Sequence, residues 1–532
     1  MTTRVRLHYR ICSGRLAAAF AVVWLNCAVA AASLSPQEQR GKQIYVQGSS
    51  PAGATITAMV GEAAVALPAT TIPCASCHGP DGRGRPEGGV IPSDITWRNL
   101  TKSYGHRHEF GRHHPAFDAA SLAVAITRGI DPAGNRLDAA MPHYSMEPED
   151  LQALITYLKR IETDSDRGVS ATRVRLATQL PVTGRLASLG QAMRAVMTAY
   201  FADLNAAGGI HGRDIELLVI PFGDSPRAAL NNLEQSLAEQ DIFALVGAYS
   251  VGLEFEMAQL MEQQQTPLIG PFTLQPHSAA ALDRHTFYLF PGHEQQARVL
   301  VDYALGQAGQ APRLAVVGPA TPATARLGEV ITDQARSHGL EAVQVFEYPG
   351  DPASAAQLAA ALRAAASTAV FFFGTPDELT VVLQTLGKFP RPPAIFLPST
   401  LVTPALFTAP AVFEKRIFVA YPTLPSDLSA MGRRDYNALR TKHDLPSEHV
   451  SGQIAAYAAA RTLVEGLKRA GRDLSRDKFV SALEGLYRFD TGLTAPLTYN
   501  PNRRIGALGA HVVAVQLEAG RYAPVGPWRN LE

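Results

Sequence analysis

The 532-residue sequence predicts a multidomain chain, with a small, mostly-α unit first and an α/β region of two lobes after it. Three observations carry that expectation. Residues 34–162 hold short helical stretches around Cys74-Ala-Ser-Cys-His-Gly-Pro-Asp-Gly82. Residues 163–172, Thr-Asp-Ser-Asp-Arg-Gly-Val-Ser-Ala-Thr, are small and polar and read as a linker. From residue 173 onward the rhythm changes to short buried apolar runs alternating with helical segments, which is the pattern of parallel sheets covered by helices.

The first 32 residues read as a segment outside the fold. Arg4, Arg6, Arg10 and Arg15 precede an apolar run from Leu16 to Leu25, and Ala28-Val29-Ala30 and Ala30-Ala31-Ala32 are small-x-small cleavage sites. This is the pattern of a secretory signal peptide, so a periplasmic location with no membrane anchor after cleavage is expected. Cys12 and Cys27 would leave with it. Only Cys74 and Cys77 would remain, too few for a disulfide framework. With 48 Lys and Arg against 47 Asp and Glu, the formal charge of +1 provides no basic field for nucleic acid.

Cys74, Cys77 and His78 form C-x-x-C-H, the attachment pattern of c-type haem. Two thioethers fix the haem edge, and the adjacent histidine is held against the iron. A structural zinc site would need further ligands, and no other cysteine survives cleavage. A thioredoxin-like pair would need a long helix after it, where Gly79-Pro80-Asp81-Gly82 stands instead. One covalent haem c is therefore expected, with Cys74 and Cys77 attached and His78 as one axial ligand. Met141, in Ala140-Met-Pro-His-Tyr144, follows His78 by 63 residues and is the expected second axial ligand, with Met146 and His143 as rivals. A thioether is soft and raises the reduction potential. Gln37–Gln47 and the stretch from Pro148, with Leu151, Leu154, Ile155, Leu158 and Ile161 on one face, read as helices.

Residues 34–162 thus resemble a class I cytochrome c. That resemblance implies terminal helices that cross, with Gly41 as the small residue and Tyr157 as the aromatic at the crossing. It also exposes an insertion at 53–73, read here as a β-hairpin. Four histidines lie within 106–114; the spacing fits no defined metal site, and a solvated loop is expected.

Strands are expected at Val174–Pro181, Ile215–Pro221, Phe243–Gly247 and Pro267–Gly270, then at Leu314–Val317, Val343–Tyr348, Val370–Phe373, Ile395–Leu397 and Ile417–Ala420, with a helix over Leu189–Ala207. They fall into two sets, hence two lobes over 173–532. Leu180-Pro-Val-Thr-Gly184, Asn205-Ala-Ala-Gly-Gly-Ile-His-Gly-Arg213, Phe243-Ala-Leu-Val-Gly247 with Tyr249-Ser250, Thr266-Pro-Leu-Ile-Gly-Pro-Phe-Thr273, Tyr457-Ala-Ala-Ala460 and Phe489-Asp-Thr-Gly-Leu493 resemble the type I periplasmic solute-binding proteins, related to branched-chain amino-acid receptors of ABC transporters. The resemblance implies two lobes closing on a ligand like a hinged clamp. It implies a ligand carboxylate held by hydroxyls and backbone N–H groups around Tyr249, Ser250, Val251, Phe272 and Thr273. Val251 lacks a hydroxyl, Leu189 stands where an aromatic is common, and Pro319–Arg326 replaces a Tyr-Gly segment, so an amino-acid ligand is not implied.

No catalytic motif is present in the lobes, and an electron carrier and binding protein is expected rather than an enzyme. The leading expectation is periplasmic electron transfer, with the lobes sensing or docking a small molecule or a redox partner such as a dehydrogenase or another cytochrome. Two alternatives stand beside it. One is a solute receptor for transport or sensing with the haem as a redox gate. The other is a ligand-free docking platform.

Overall fold

The computed structural model describes residues 34–84, 90–108, 111–164, 166–276, 283–307, 312–340 and 342–531. The expected signal segment lies outside them. The chain divides into two compact units after Asp164.

In the first unit, helix α1 (Pro36–Gln47) starts at a capping box made by Ser35 and Glu38 and stops at Gly48 in the left-handed conformation. A hairpin follows, β1 (Thr57–Val60) and β2 (Val65–Pro68), inside the insertion read from the sequence. Next come α2 (Cys74–His78), α3 (Trp97–Leu100), the two-residue strands β3 (His106–Arg107) and β4 (His113–His114), and α4 (Ala119–Arg128). Strand β5 (His143–Ser145) and helix α5 (Pro148–Leu158) complete the unit. Helix α1 crosses α5 where Gly41 leaves no room for a side chain. A Cβ there would lie 2.1 Å from the Ala153 carbonyl oxygen and 2.7 Å from Cβ of Tyr157. Tyr45 and Tyr157 pack beside the crossing with ring centroids 5.7 Å apart. Arg40 donates to Asp150 at 2.7 Å, and the Asp150 side chain has no solvent exposure. The resemblance placed Gly41 and Tyr157 at this crossing, and the structure has them there.

The second unit has two sheets. The first lobe holds β6 (Arg173–Leu180), α6 (Ala187–Ala206), β7 (Asp214–Pro221), α7 (Pro226–Glu239), β8 (Ala244–Val246), α8 (Glu254–Gln263), β9 (Leu268–Ile269) and β10 (Thr286–Phe287). Its strands are parallel in the order β10-β9-β8-β6-β7. The chain then enters the second lobe with α9 (His293–Leu305), β11 (Leu314–Gly318), α10 (Pro322–Ser337), β12 (Val343–Glu347), α11 (Pro352–Ala364), β13 (Ala369–Phe372), α12 (Pro376–Leu386), β14 (Ala394–Pro398) and β15 (Ile417–Tyr421). It returns to the first lobe for α13 (Ala430–Lys442), α14 (Val450–Ala470) and α15 (Arg476–Glu484). Finally it re-enters the second sheet as β16 (Gly509–Gln516), β17 (Arg521–Pro524) and β18 (Arg529–Asn530). Two of the three crossings run side by side: the Tyr288 N–H donates to the Arg504 carbonyl at 2.8 Å, and the Gly506 N–H returns one to Tyr288 at 2.8 Å.

All the strands read from the sequence are present. In the second unit two features were not read. Strands β10, β16, β17 and β18 were missed, and the second sheet is mixed, because β15 pairs with β16 antiparallel. Strand β16 is buried along nearly its whole length. A run buried on both faces has the same apolar composition in either direction, so its polarity is not written in its residues.

The α1–α5 crossing yields a prediction. Gly41→Val places methyl groups into the Ala153 backbone, and overpacking of this kind costs about 1–3 kcal/mol. Urea denaturation followed on the first unit should show a loss of that order, whereas an unchanged midpoint would mean that the helices part at no cost.

Candidate functional site

Helix α2 is one and a half turns long and carries Cys74, Cys77 and His78. Gly79 stops it with φ at 74°. Tyr45, fully buried, donates from its hydroxyl to the Gly79 carbonyl at 2.5 Å, so α1 holds the turn that follows His78. The His78 ring is 7% exposed, and its Nδ1 donates to the Ser93 carbonyl at 2.9 Å. That bond sets the proton on Nδ1. The Nε2 lone pair is left without a hydrogen-bond partner among the described residues, which is how a metal-bound imidazole is oriented. Burial lowers the His78 pKa and keeps the ring neutral.

Both thiols are free. Burial pushes the Cys74 thiol up to about 12, the opposite of what a redox-active C-x-x-C pair requires. The donor set therefore fits a covalent haem: two thiols one turn apart and a neutral, buried imidazole with an oriented lone pair. Met141 and Met146 both border the core of this unit, together with Cys74 and Ala75. The His143 ring lies against Gly129, where a Cβ would meet its Nε2 at 2.0 Å. Successive residues of a strand face opposite ways. Tyr144 faces Cys74, and His143 is turned to the other side of the strand.

The histidine loop is not uniformly solvated. His106, His108 and His114 gather with ring centroids 5.2–6.2 Å apart, and His114 is 2% exposed against Phe117. The nitrogens face protein groups: His106 Nε2 donates to the Asn99 carbonyl, His114 Nδ1 donates to the Pro115 carbonyl, and His108 and His114 share a hydrogen bond between their Nε2 atoms. Among the described residues no set of three or more His, Cys, Asp or Glu side chains is arranged to hold a metal ion.

In the second unit, Tyr249 and Phe272 extend the β8–β9 pair at its carboxyl end and stack at 6.0 Å. Ser250 donates from its hydroxyl to the Phe272 carbonyl at 3.3 Å, and Val251 packs half-buried on the core. Thr273 donates to Glu254 Oε1 at 2.8 Å, and the Gly252 N–H donates to Glu254 Oε2 at 2.9 Å. The five expected ligand residues are therefore neighbours, and the Tyr249, Ser250 and Phe272 N–H groups and the Ser250 and Thr273 hydroxyls bond within the chain. Glu254, missed in the sequence, is the first residue of α8, where a carboxylate is favoured by the helix dipole. Leu189 lies on Gly452 of α14. Within Pro319–Arg326, Thr321 caps α10, and Arg326 pairs with Glu294 and Glu329. His293, at the start of α9, bonds Thr400 through Nε2 at 3.1 Å.

A C-x-x-C-H turn of this geometry, followed in the chain by two α/β lobes crossed three times, is the architecture of a cytochrome c domain joined to a two-lobed periplasmic binding fold. The chain belongs to the periplasmic binding protein family, whose model matches residues 173–521, and residues 66–162 match the cytochrome c model. Solved structures agree on the fold of the second unit. A fatty acid ABC transporter substrate-binding protein from Thermomonospora curvata is 18% identical with a TM-score of 0.53, covering 69% of this chain and 95% of its own. A possible leucine/isoleucine/valine-binding protein from Rhodopirellula baltica SH 1 is 20% identical with a TM-score of 0.52, covering 67% and 97%. A branched chain amino acid ABC transporter from Thermus thermophilus with bound valine is 16% identical with a TM-score of 0.53, covering 68% and 97%. At these identities the likeness shows the fold alone. Among curated proteins none matches the chain.

Burial lowers the His293 pKa from 6.5 to about 4. Between those values the unfolded chain takes up a proton that the folded chain does not, so this group's stabilisation is complete above pH 6.5 and is lost as pH falls toward 4. The loss is up to about 3 kcal/mol. His293→Gln should flatten the acid limb of the stability curve relative to wild type; parallel curves would show that the ring protonates freely in the folded state.

Proposed function

We propose that this protein is a periplasmic c-type cytochrome that carries electrons through one covalent haem, with a fused binding unit that recognises a small molecule or a redox partner. The observation that carries the reading is the His78 ring, locked by Ser93 with Nε2 left for iron on the helix that bears both thiols. When bound, the haem supplies a one-electron couple. The chain supplies its attachment, its axial ligands His78 and Met141, and a buried surround. With His78 and Met141 both bound, the iron would have no open position, which would suit electron transfer better than oxygen chemistry. Both matched families are of binding and electron-carrying types, in keeping with a role other than catalysis. No helix among the described residues is long and apolar enough to cross a membrane. Residues 1–32 supply the export signal in this reading.

A second reading of the lobes has its own observation. Glu254 occupies the Thr273 hydroxyl, one of the groups that the family resemblance assigns to a ligand carboxylate, and the N–H of Gly252 beside Val251. This favours a docking platform, or a solute without a carboxylate, over a free amino acid.

Two experiments test the proposal. Met141→Ala should change the ferric spectrum and lower the potential, while His143→Ala should leave both unchanged; an unaltered ferric spectrum in Met141→Ala refutes the axial assignment. A thermal-shift panel of amino acids, carboxylates, alcohols and aromatic compounds tests the lobes in both oxidation states. A true ligand at a hundredfold excess over its Kd stabilises by roughly 2.7 kcal/mol. A hit that depends on oxidation state means that ligand and haem are coupled. Silence across the panel favours the docking platform.

A further inference from the structure

The insertion between α1 and α2 has a definite partner. Strand β1 is the centre of a three-stranded sheet ordered β2-β1-β5. It pairs antiparallel with β5 in the register Thr57 to Ser145, Ala58 to Tyr144 and Met59 to His143. Strand β5 begins two residues after Met141. Ala58, opposite Tyr144, has no exposure, and Ile56 and Ala69 at the base of the hairpin are 4% and 1% exposed. The Ala69 N–H donates to the Ile56 carbonyl at 3.0 Å, so the base closes on itself. The base of the hairpin and Ala58 of β1 are thus built into the core, while β2 lies largely exposed on its outer side.

Tyr144 adds a second tie. Its ring is 4% exposed, and its hydroxyl donates to the Ile72 carbonyl at 2.7 Å, two residues before Cys74. One residue therefore joins the segment after Met141 to the approach of the attachment helix. On the other side, the Met141 N–H donates to the Asp138 carbonyl at 2.9 Å, which closes a turn just before the methionine. Met141 lies between two anchored points.

We propose that the β1–β2 hairpin and Tyr144 are a positioning device for Met141, holding the axial segment so that the ferric iron stays closed to small ligands. This rests on the axial assignment made above. The chemical reason is the softness of sulfur: a thioether holds ferrous iron well and ferric iron less well, so oxidation is when an unsupported methionine segment lets go. A segment tied at both ends loses little conformational freedom on binding, and its release must also break the sheet pairing.

The test is the affinity of the ferric holoprotein for imidazole, read together with the sulfur-to-iron charge-transfer band and the midpoint potential. Two variants are compared with wild type. Tyr144→Phe keeps the ring and deletes the donor to Ile72. In the other, residues 57–68 are replaced by two glycines, a splice made possible by the Ile56–Ala69 bond. The account expects at least tenfold tighter imidazole binding in the splice variant, about threefold in Tyr144→Phe, and a weakened band with a lower potential in both. Imidazole affinity within twofold of wild type in Tyr144→Phe and in a folded splice variant overturns it. If the splice variant does not fold, Tyr144→Phe decides alone. Met141→Ala separates the two levels. If it leaves the band in place, the axial reading fails, and this inference with it. If it abolishes the band while the other variants bind imidazole as wild type does, only the positioning role fails.

Discussion

The close crossing of α1 and α5 at Gly41 is the constraint on which the first unit depends. With a Cβ at position 41 the helices could not approach, because the Ala153 carbonyl occupies that space. The approach puts Tyr45 where its hydroxyl reaches the Gly79 carbonyl, at the end of the attachment helix. It also brings Arg40 onto the buried Asp150, whose carboxylate would be left uncompensated if Arg40 were removed. From that crossing the order extends outward. The turn after His78 is fixed, Ser93 orients the ring, and the segment carrying Met141 is tied back through β1 and Tyr144. The C-x-x-C-H turn and the Met141 segment are thus held by a frame of ordinary helix packing and a few buried hydrogen bonds.

The second unit is organised by connection. The chain passes between lobes three times, and the strands at Tyr288 and Ile505 bond to each other as they cross. Two-lobed folds hinge at crossings of this kind. Beyond the carboxyl ends of β8 and β9, in the first lobe, the Gly252 N–H and the Thr273 hydroxyl both bond Glu254.

How much of this was legible in the sequence depended on the range of each interaction. Cys74, Cys77 and His78 were legible because the chemistry needs them within one turn. Gly41 was legible because a crossing demands a small residue, and the family resemblance said where. The hairpin at 57–68 was read from its alternation, but its partner β5 lies more than seventy residues away, and no local pattern names it. The direction of β16 was hidden for a related reason, since burial on both faces erases the alternation that would mark a sheet edge. Glu254 escaped because an acid in the first turn of a helix is ordinary, and only the fold shows that it reaches Thr273.

The central claim is that one chain joins a covalent haem centre to a binding fold, and the mass of the mature protein tests it most directly. The account predicts one haem per chain, carried on the peptide that contains Cys74 and Cys77 and surviving acid extraction. A mature chain without haem mass, or with those cysteines joined to each other as a disulfide, would contradict it.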